Sequence, residues 1–543
     1  MTASRADLVL STPFSTLSST VYTIMTRDEY RNCQLKHYET LTKFKSHVLS
    51  GGKLRGALLI VLFYMSLCWP FLKIPVLSGI LTSIQSLYIG YFVEIDNSVT
   101  LTHTPPIRMS PNKRELVNNE VFDYLIIGSG PGAAVAAQKV KEFGSVLVLE
   151  RGKHPQTNFS DHHTLRHVLH DFYKSGQEVI LAKGMPMYAQ ASTVGGGSEV
   201  NAGLYHRLPA HLVDRYTQGA HISKETWVTS ENYIRDLLNI SEMRVDPEDS
   251  VIARGAKSMG MTHSNIPRWR TYNENGSFVH HGANTLVWEK LVKHYDVSIL
   301  EATRATHIDS SSSDYVTVRT NSTSNSIVKA RKVIVCAGTT ATPYLLCSSH
   351  LVKWGSTRFG WHPMIRTIAT TNESDLGRLD IDPYQAWTSD HVLKFGSAVS
   401  TPGFLALNTQ RILDSAELPY LRSYYASFAS TGRGGLIPFT QTPWYRYSQS
   451  DAINIKAATE KLREIVETGG GKIDTAMLLN KPRISSVHIF GSLPVDSGEF
   501  EEGTVMLKSD NRIQVCDASI LPTGPGVNPQ AIVMSLAQSL VCS

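Results

Sequence analysis

Near the C-terminus of this 543-residue chain, two side chains carry complementary chemistry: His488, in Val487-His-Ile-Phe-Gly-Ser492, and Asn528, in Val527-Asn-Pro-Gln530. A neutral imidazole titrates near neutral pH and can take a hydroxyl proton while hydride departs from the adjoining carbon. A carboxamide can donate to the oxygen on which charge then develops. Each residue also has a structural reading. The chain holds 20 histidines, and a single one is ordinarily part of the framework. Asn528 before Pro529 reads as a helix N-cap with proline at the first helical position, opening the helix that runs through Ala531 to Val541.

Hydride needs an acceptor, and the stretch FDYLIIGSGPGAAVAAQKVKEFGSVLVLE, from Phe122 to Glu150, has the pattern of a site for one. It reads as an apolar strand, a glycine turn, a helix of small residues and a second strand ending in an acid. Gly128 permits the tight turn, Gly130 lets the backbone approach a pyrophosphate, and Ala133 in the third small position lets helix and strand pack closely. Ser129 and Gly132 complete the turn, and phosphate would sit on the helix N-terminus. Glu150, followed by Arg151, lies where a carboxylate can accept from both hydroxyls of an adenosine ribose and would repel a 2′-phosphate, which disfavours NADP. The unit leaves NAD and FAD open.

A chain of 543 residues exceeds one compact core and should divide into two or three domains. Its formal charge of +5 is thinly spread, without a basic stripe interleaved with aromatics, so nucleic acid is not an expected partner. The six cysteines form no CxxC pair and suggest neither zinc nor a disulfide framework. P-loop, HExxH and Gly-x-Ser-x-Gly signatures are missing, as is a cysteine set for iron–sulfur. No basic start with a continuous apolar core marks a signal peptide, so the expected location is cytoplasmic. The apolar run Gly56–Leu72, with the diluted stretch that follows it to about residue 93, qualifies this. Buried cap helices are the first reading of residues 56–93, and membrane association the alternative.

Residues 1–105 read as a helical, apolar N-terminal cap, ended by a proline-rich boundary. From 120 to 215, strand and helix patterns alternate as in an α/β unit, and 216–300 is mixed. Residues 301–350 carry alternating strands ending in Lys332-Val-Ile-Val-Cys-Ala-Gly338. Residues 351–480 form a separate layer, rich between 380 and 450 in aromatics such as Tyr384, Trp387, Phe395, Tyr424, Tyr425, Phe428, Trp444, Tyr445 and Tyr447. The remainder, 481–543, holds His488 and Asn528.

These motifs occur in order with Gly195-Gly-Gly-Ser-Glu-Val-Asn201 and Cys516-Asp-Ala-Ser-Ile-Leu-Pro-Thr523. From residue 121 to the C-terminus the set resembles the glucose–methanol–choline (GMC) oxidoreductases, with the greatest likeness to their cholesterol-oxidase-like and long-chain alcohol oxidase branches. The resemblance implies an α/β fold, α+β overall. A Rossmann-like FAD domain would be assembled from 120–215, 301–350 and 481–543, beside a sheet-based substrate domain. It implies FAD, not NAD, with oxidation of an alcohol by hydride transfer to flavin N5 and His488 as base. Gly196 and Gly197 would let the backbone lie flat on the flavin ring, with Ser198 and Asn201 beside it. Asp517 would hold the ribityl or pyrophosphate region, Ala305 the adenine, and Pro529 and Gln530 the helix end at the flavin pyrimidine. Some relatives carry a histidine before that Asn which attaches to the flavin; Val200 stands there, so non-covalent FAD is expected. Glu199, Tyr205 and His362 have weaker claims, His362-Pro363 resembling a structural turn. The apolar cap and aromatic layer suggest a bulky or apolar alcohol, with oxygen or another compound as electron acceptor. The alternatives are a lyase reaction on the same fold, with His488 as base, and a membrane-attached dehydrogenase passing electrons to a quinone.

Overall fold

The computed structural model describes residues 120–541 apart from 156–170, 174–177, 241, 243–245, 273–277, 281, 324–325, 372–380, 401–404, 406–419 and 474–483. The expected N-terminal cap and the apolar stretch 56–93 lie outside the described residues. No helix among the described residues is long and apolar enough to cross a membrane.

In chain order, the principal strands are β1 (Val121–Ile127), β2 (Val146–Leu149), β3 (Thr262–Asn265), β4 (Val297–Leu300), β5 (Ala305–Asp309), β6 (Val316–Thr320), β7 (Ile327–Val335), β8 (Met364–Thr370), β9 (Tyr384–Trp387), β10 (Lys394–Ala398), β11 (Leu421–Ser427), β12 (Ile484–Ser486) and β13 (Asp510–Val515). The helices that matter to the site are α1 (Pro131–Val140), α2 (Lys224–Leu237), α3 (Val251–Ser258), α4 (Gln449–Thr468) and α5 (Gln530–Leu540).

One sheet has eight strands, with the parallel order β13-β7-β1-β2-β4 at its heart, β6 antiparallel to β7 and β5 antiparallel to β6 in turn. Leu125 and Ile126, adjacent on β1 and so on opposite faces, are both fully buried, which is why this strand is a continuous apolar run. Helix α1 can lie close against it because its buried residues are Gly132, Ala133, Ala134, Val135, Ala136, Ala137 and Val140.

The second sheet has nine strands and is mostly antiparallel, with β12-β8-β11-β10-β9-β3 in succession. Alternation assigns its two faces. Ile365, Ala369, Tyr424, Ala426, Leu393, Phe395 and Ala386 pack with α3 and α4 in one apolar core. The intervening positions face the other way. Burying each Ile, Leu or Phe of that core contributes about 1.5–3 kcal/mol, enough to hold the opposite face in position whatever it carries.

Candidate active site

A cavity of about 470 Å³ lies between the two sheets, bordered by the C-terminal ends of β1, β2 and β7, the N-termini of α1 and α5, and β8, β10 and β11. Ligands of open parallel sheets bind at that end of the strands.

The cavity's first wall is backbone. Gly128 has φ +97°, and a Cβ there would meet the Cys336 carbonyl oxygen at 2.2 Å; one on Gly132 would meet the Cys516 carbonyl oxygen at 2.1 Å. Only glycine lets β1, β7 and β13 close around the turn. Gly130 and Gly197 meet nothing within 4 Å, so their missing side chains leave room. Helix α1 has no side-chain cap and no acid in its first turn, which leaves its positive end available to an anion. Both Ser129 N–H (3.0 Å) and Ser129 Oγ–H (2.7 Å) donate to Glu150, whose other oxygen accepts from Gly152 N–H (2.7 Å). The Trp288 indole N–H donates to the Ser129 carbonyl at 2.8 Å. Arg151 lies 3.8 Å over the Tyr173 ring and donates to the Ala191 carbonyl. Open glycines, a bare helix N-terminus and a fixed carboxylate at the end of β2 suit the pyrophosphate and ribose of a dinucleotide.

Gly128, Ser129, Gly130, Gly132, Ala133, Glu150, Arg151, Gly196, Gly197, Asn201, Ala305, Asp517, Pro529 and Gln530 all border this cavity, with His488 and Asn528. Ser198 does not. Gly196–Glu199 forms a 3-10 turn that points the Ser198 hydroxyl inward, where it bonds the Gly195 carbonyl, Glu199 and Ala283 N–H, so the expectation that it flanks a ring is corrected. The Asn201 amide donates to Gln530 Oε1 and its oxygen accepts from Gly203 N–H. Asp517 accepts from Gly338 N–H, Thr342 Oγ1–H and Ser519 N–H, tying β7 to the end of β13 as a turn cap.

The other wall is made of side chains. Asn528 does not cap α5. Its Oδ1 accepts from the Lys394 ammonium at 2.5 Å, and the helix begins at Gln530 with Pro529 in the cap position and no side-chain cap. This corrects the N-cap expectation. The Lys394 ammonium can only donate, so while it is protonated the Asn528 oxygen faces it and the Asn528 NH₂ is left to point elsewhere. Lys394 is 1% exposed, and burial pushes its ammonium down to about 7.

His488 stands against His362, with 3.3 Å between their Nδ1 atoms and the rings edge to face. Gly526 N–H donates to His362 Nε2 at 3.2 Å, so the neutral His362 ring keeps its hydrogen on Nδ1, towards His488. His362 thus reaches from His488 to within two residues of Asn528. The structural-turn reading of His362 missed this contact. Burial, then the charges of His362, Lys394, His206 and Arg366, holds His488 well below the ordinary histidine range. His206, buried and bonded to Gln385 at 2.8 Å, is pushed down to about 3 by burial and by Lys394.

Across β8, β11, β10 and β9, the register sets Arg366 beside Tyr425, Tyr425 beside Gly396 and Gly396 beside Gln385. A Cβ at Gly396 would crowd Tyr425 at 3.2 Å and Gln385 at 3.3 Å; its absence lets Gln385 Nε2 donate to Tyr425 Oη at 3.0 Å. Of the aromatics in the 380–450 layer, Phe395, Tyr424 and Phe428 belong to the helix-backed core and Tyr445 and Tyr447 pack around Trp361. Tyr425 is on the cavity. The aromatic layer is therefore mainly core, and its support for an apolar substrate falls away.

A two-layer α/β fold with a backbone-built cradle, facing a wall that carries His488, Arg366 and Asn528, has the form of a dinucleotide-binding protein with a side-chain site opposite the cradle. Residues 122–356 match the family model described as GMC oxidoreductase. Over 76% of its length the chain is 23% identical to the GMC-type oxidoreductase y4nJ of Sinorhizobium fredii, covering 93% of that protein. It is 21% identical, again over 76% of its length, to long-chain-alcohol oxidase FAO4B of Arabidopsis thaliana, covering 66% of it. Pyridoxine 4-oxidase from Mesorbium loti has the same fold, with a TM-score of 0.59, 14% identity, and coverage of 77% of this chain and 98% of that one. Residues 122–356 thus carry a GMC oxidoreductase domain, and over three quarters of its length the chain is similar to oxidoreductases of that family, which supports an FAD-dependent oxidoreductase.

Proposed function

We propose that the chain oxidises an alcohol to an aldehyde or ketone, with FAD bound non-covalently and oxygen or another compound as electron acceptor. FAD, when bound, supplies the acceptor for the substrate's hydride. Gly128, Gly130, Gly132 and the α1 N-terminus would hold its pyrophosphate, Glu150 its ribose, and Gly196, Gly197, Asn201, Pro529 and Gln530 its ring end. Val200 borders the cavity without a nucleophilic side chain, which supports non-covalent attachment.

The observation that carries the reading is the Lys394–Asn528 hydrogen bond beside the His362–His488 pair. Asn528, with its oxygen held, gives an N–H to the substrate oxygen. His488 accepts the hydroxyl proton at Nε2. For this its own Nδ1 must carry hydrogen towards His362, reversing the resting pattern. The reversal gives up the 3.2 Å bond from Gly526, a cost of about 1 kcal/mol. Burial keeps His488 neutral at physiological pH, so after that reversal the Nε2 lone pair is available.

The test is anaerobic addition of a panel of alcohols to the purified yellow protein, followed by acid precipitation. Loss of flavin absorbance with alcohols, and release of FAD into the supernatant, support the reading. Indifference to every alcohol, or flavin that stays with the pellet, contradicts its two parts respectively.

A further inference from the structure

Five basic groups lie in or behind the substrate-side wall: Arg366 and His488 border the cavity, and His206, His362 and Lys394 are buried behind them. Among the described residues no carboxylate is paired with any of them: their partners are Gln385, Gly526, Ser485, Asn528 and one another. A buried charge is ordinarily paired, because leaving water costs several kcal/mol that only an opposite charge or full hydrogen bonding offsets. Histidine and lysine can escape by losing a proton. Arginine cannot.

Arg366 is consequently the group to account for. It is half-buried and borders the cavity from the centre of β8. Its Nε donates to Ser485 Oγ at 3.0 Å. Nη2 has only the Met364 sulfur, a weak acceptor, at 3.6 Å, and Nη1 has no partner among the described residues. Its cross-strand neighbour Tyr425 is in a matching condition. Gln385 gives its N–H to Tyr425 Oη, so the hydroxyl hydrogen is left for an acceptor that no described residue provides.

We propose that Arg366 and Tyr425 form a subsite for a carboxylate of the substrate, so that the alcohol oxidised at His488 and Asn528 is a hydroxy acid. A guanidinium edge and one hydroxyl match the two oxygens of a carboxylate; a phosphate, with three oxygens and more charge, would call for further donors. Apolar atoms between the two ends would lie along Met364, Ile381 and Val399, which border the same cavity. The inference rests on the alcohol-oxidation reading for the hydroxyl end, but the carboxylate end stands on its own contacts.

The experiment uses the FAD-containing protein and its Arg366→Met, Arg366→Lys and Tyr425→Phe variants. Butyrate and hexanoate, which cannot be oxidised at an alcohol, are titrated against the flavin absorption spectrum beside their neutral amides. Wild type should bind the carboxylates and not the amides. Arg366→Met should weaken them roughly 10- to 100-fold, with Arg366→Lys intermediate and Tyr425→Phe losing less than Arg366→Met. Equal binding of acid and amide, or Arg366→Met and Tyr425→Phe variants that bind carboxylate like wild type, overturns the subsite. Should Arg366→Met not fold, Tyr425→Phe, which removes one hydroxyl, decides the outcome alone. Anaerobic flavin bleaching by 6-hydroxyhexanoate against its methyl ester separates the two readings. Carboxylate-specific binding without bleaching leaves the subsite intact and removes alcohol oxidation. Bleaching by ester and acid alike, unaffected by Arg366→Met, does the reverse.

Discussion

The two walls of the cavity are made of different material. The cofactor wall is backbone: three glycines, a helix N-terminus without a cap, and one carboxylate pinned by Ser129 and Gly152. The opposite wall is side chains, set in a row by strand register and supported from behind by a helix-backed apolar core. A ligand met by backbone requires glycine at fixed intervals, because a Cβ at Gly128 or Gly132 would collide with carbonyl oxygens of neighbouring strands and one at Gly130 would take up space left open. A ligand met by side chains requires only that a pleated sheet turn one face towards it, and many residue types satisfy that.

Breaking the cofactor wall should have the largest effect. Gly132→Val puts a branched side chain onto the Cys516 carbonyl, 2.1 Å from the new Cβ, and the protein is expected to purify without FAD, read from its visible absorbance. Normal flavin content in that variant would mean that the turn is not built around close approach. His488→Ala comes next: FAD retained, and flavin reduction by alcohol slowed about 10²- to 10⁴-fold. Lys394→Met should lower turnover about tenfold by freeing the Asn528 amide, with FAD content unchanged.

The same lysine gives a stability signature with a definite sign. Its pKa is 10.5 in an unfolded chain and is pushed down to about 7 in the folded one. Below pH 7 both states keep the proton and the full cost of burying the charge is present. Between pH 7 and 10.5 the unfolded chain still holds the proton that the folded one has shed, so stability rises with pH. Urea unfolding at pH 7, 8 and 9 should show that rise in wild type and lose it in Lys394→Met; identical slopes would refute a buried, depressed lysine. The smallest effect is on the rate profile. With His488 held well below the usual range, flavin reduction should show no acid limb near the ordinary histidine value of about 6.5.

The contrast between the walls also explains which parts could be read from residues alone. Gly128, Gly130, Gly132 and Glu150 announce a dinucleotide because their spacing serves one backbone geometry, and Asn201, Asp517 and Gln530 were reachable through the family likeness. Ser198 was misjudged because a 3-10 turn, not a strand, decides which way it faces. Asn528 followed by Pro529 is locally a good N-cap, and only a tertiary partner, Lys394, draws its oxygen away. Arg366 in Met-Ile-Arg-Thr-Ile and Lys394 in Leu-Lys-Phe-Gly belong to no motif, and the weak periodicity of this region does not show that their strand face is turned towards the cavity rather than water. Partners such as His362 and Gln385 are joined to the site by register and loop packing, which leave no local pattern.

The central claim is that His488 serves the reaction from a cavity whose cofactor is held independently of it. Stopped-flow anaerobic reduction of wild type and His488→Ala by one competent alcohol, at matched flavin content, tests this most directly. The account predicts rapid bleaching of wild type and a variant that stays yellow for at least a hundredfold longer. A variant that bleaches at the wild-type rate would contradict it.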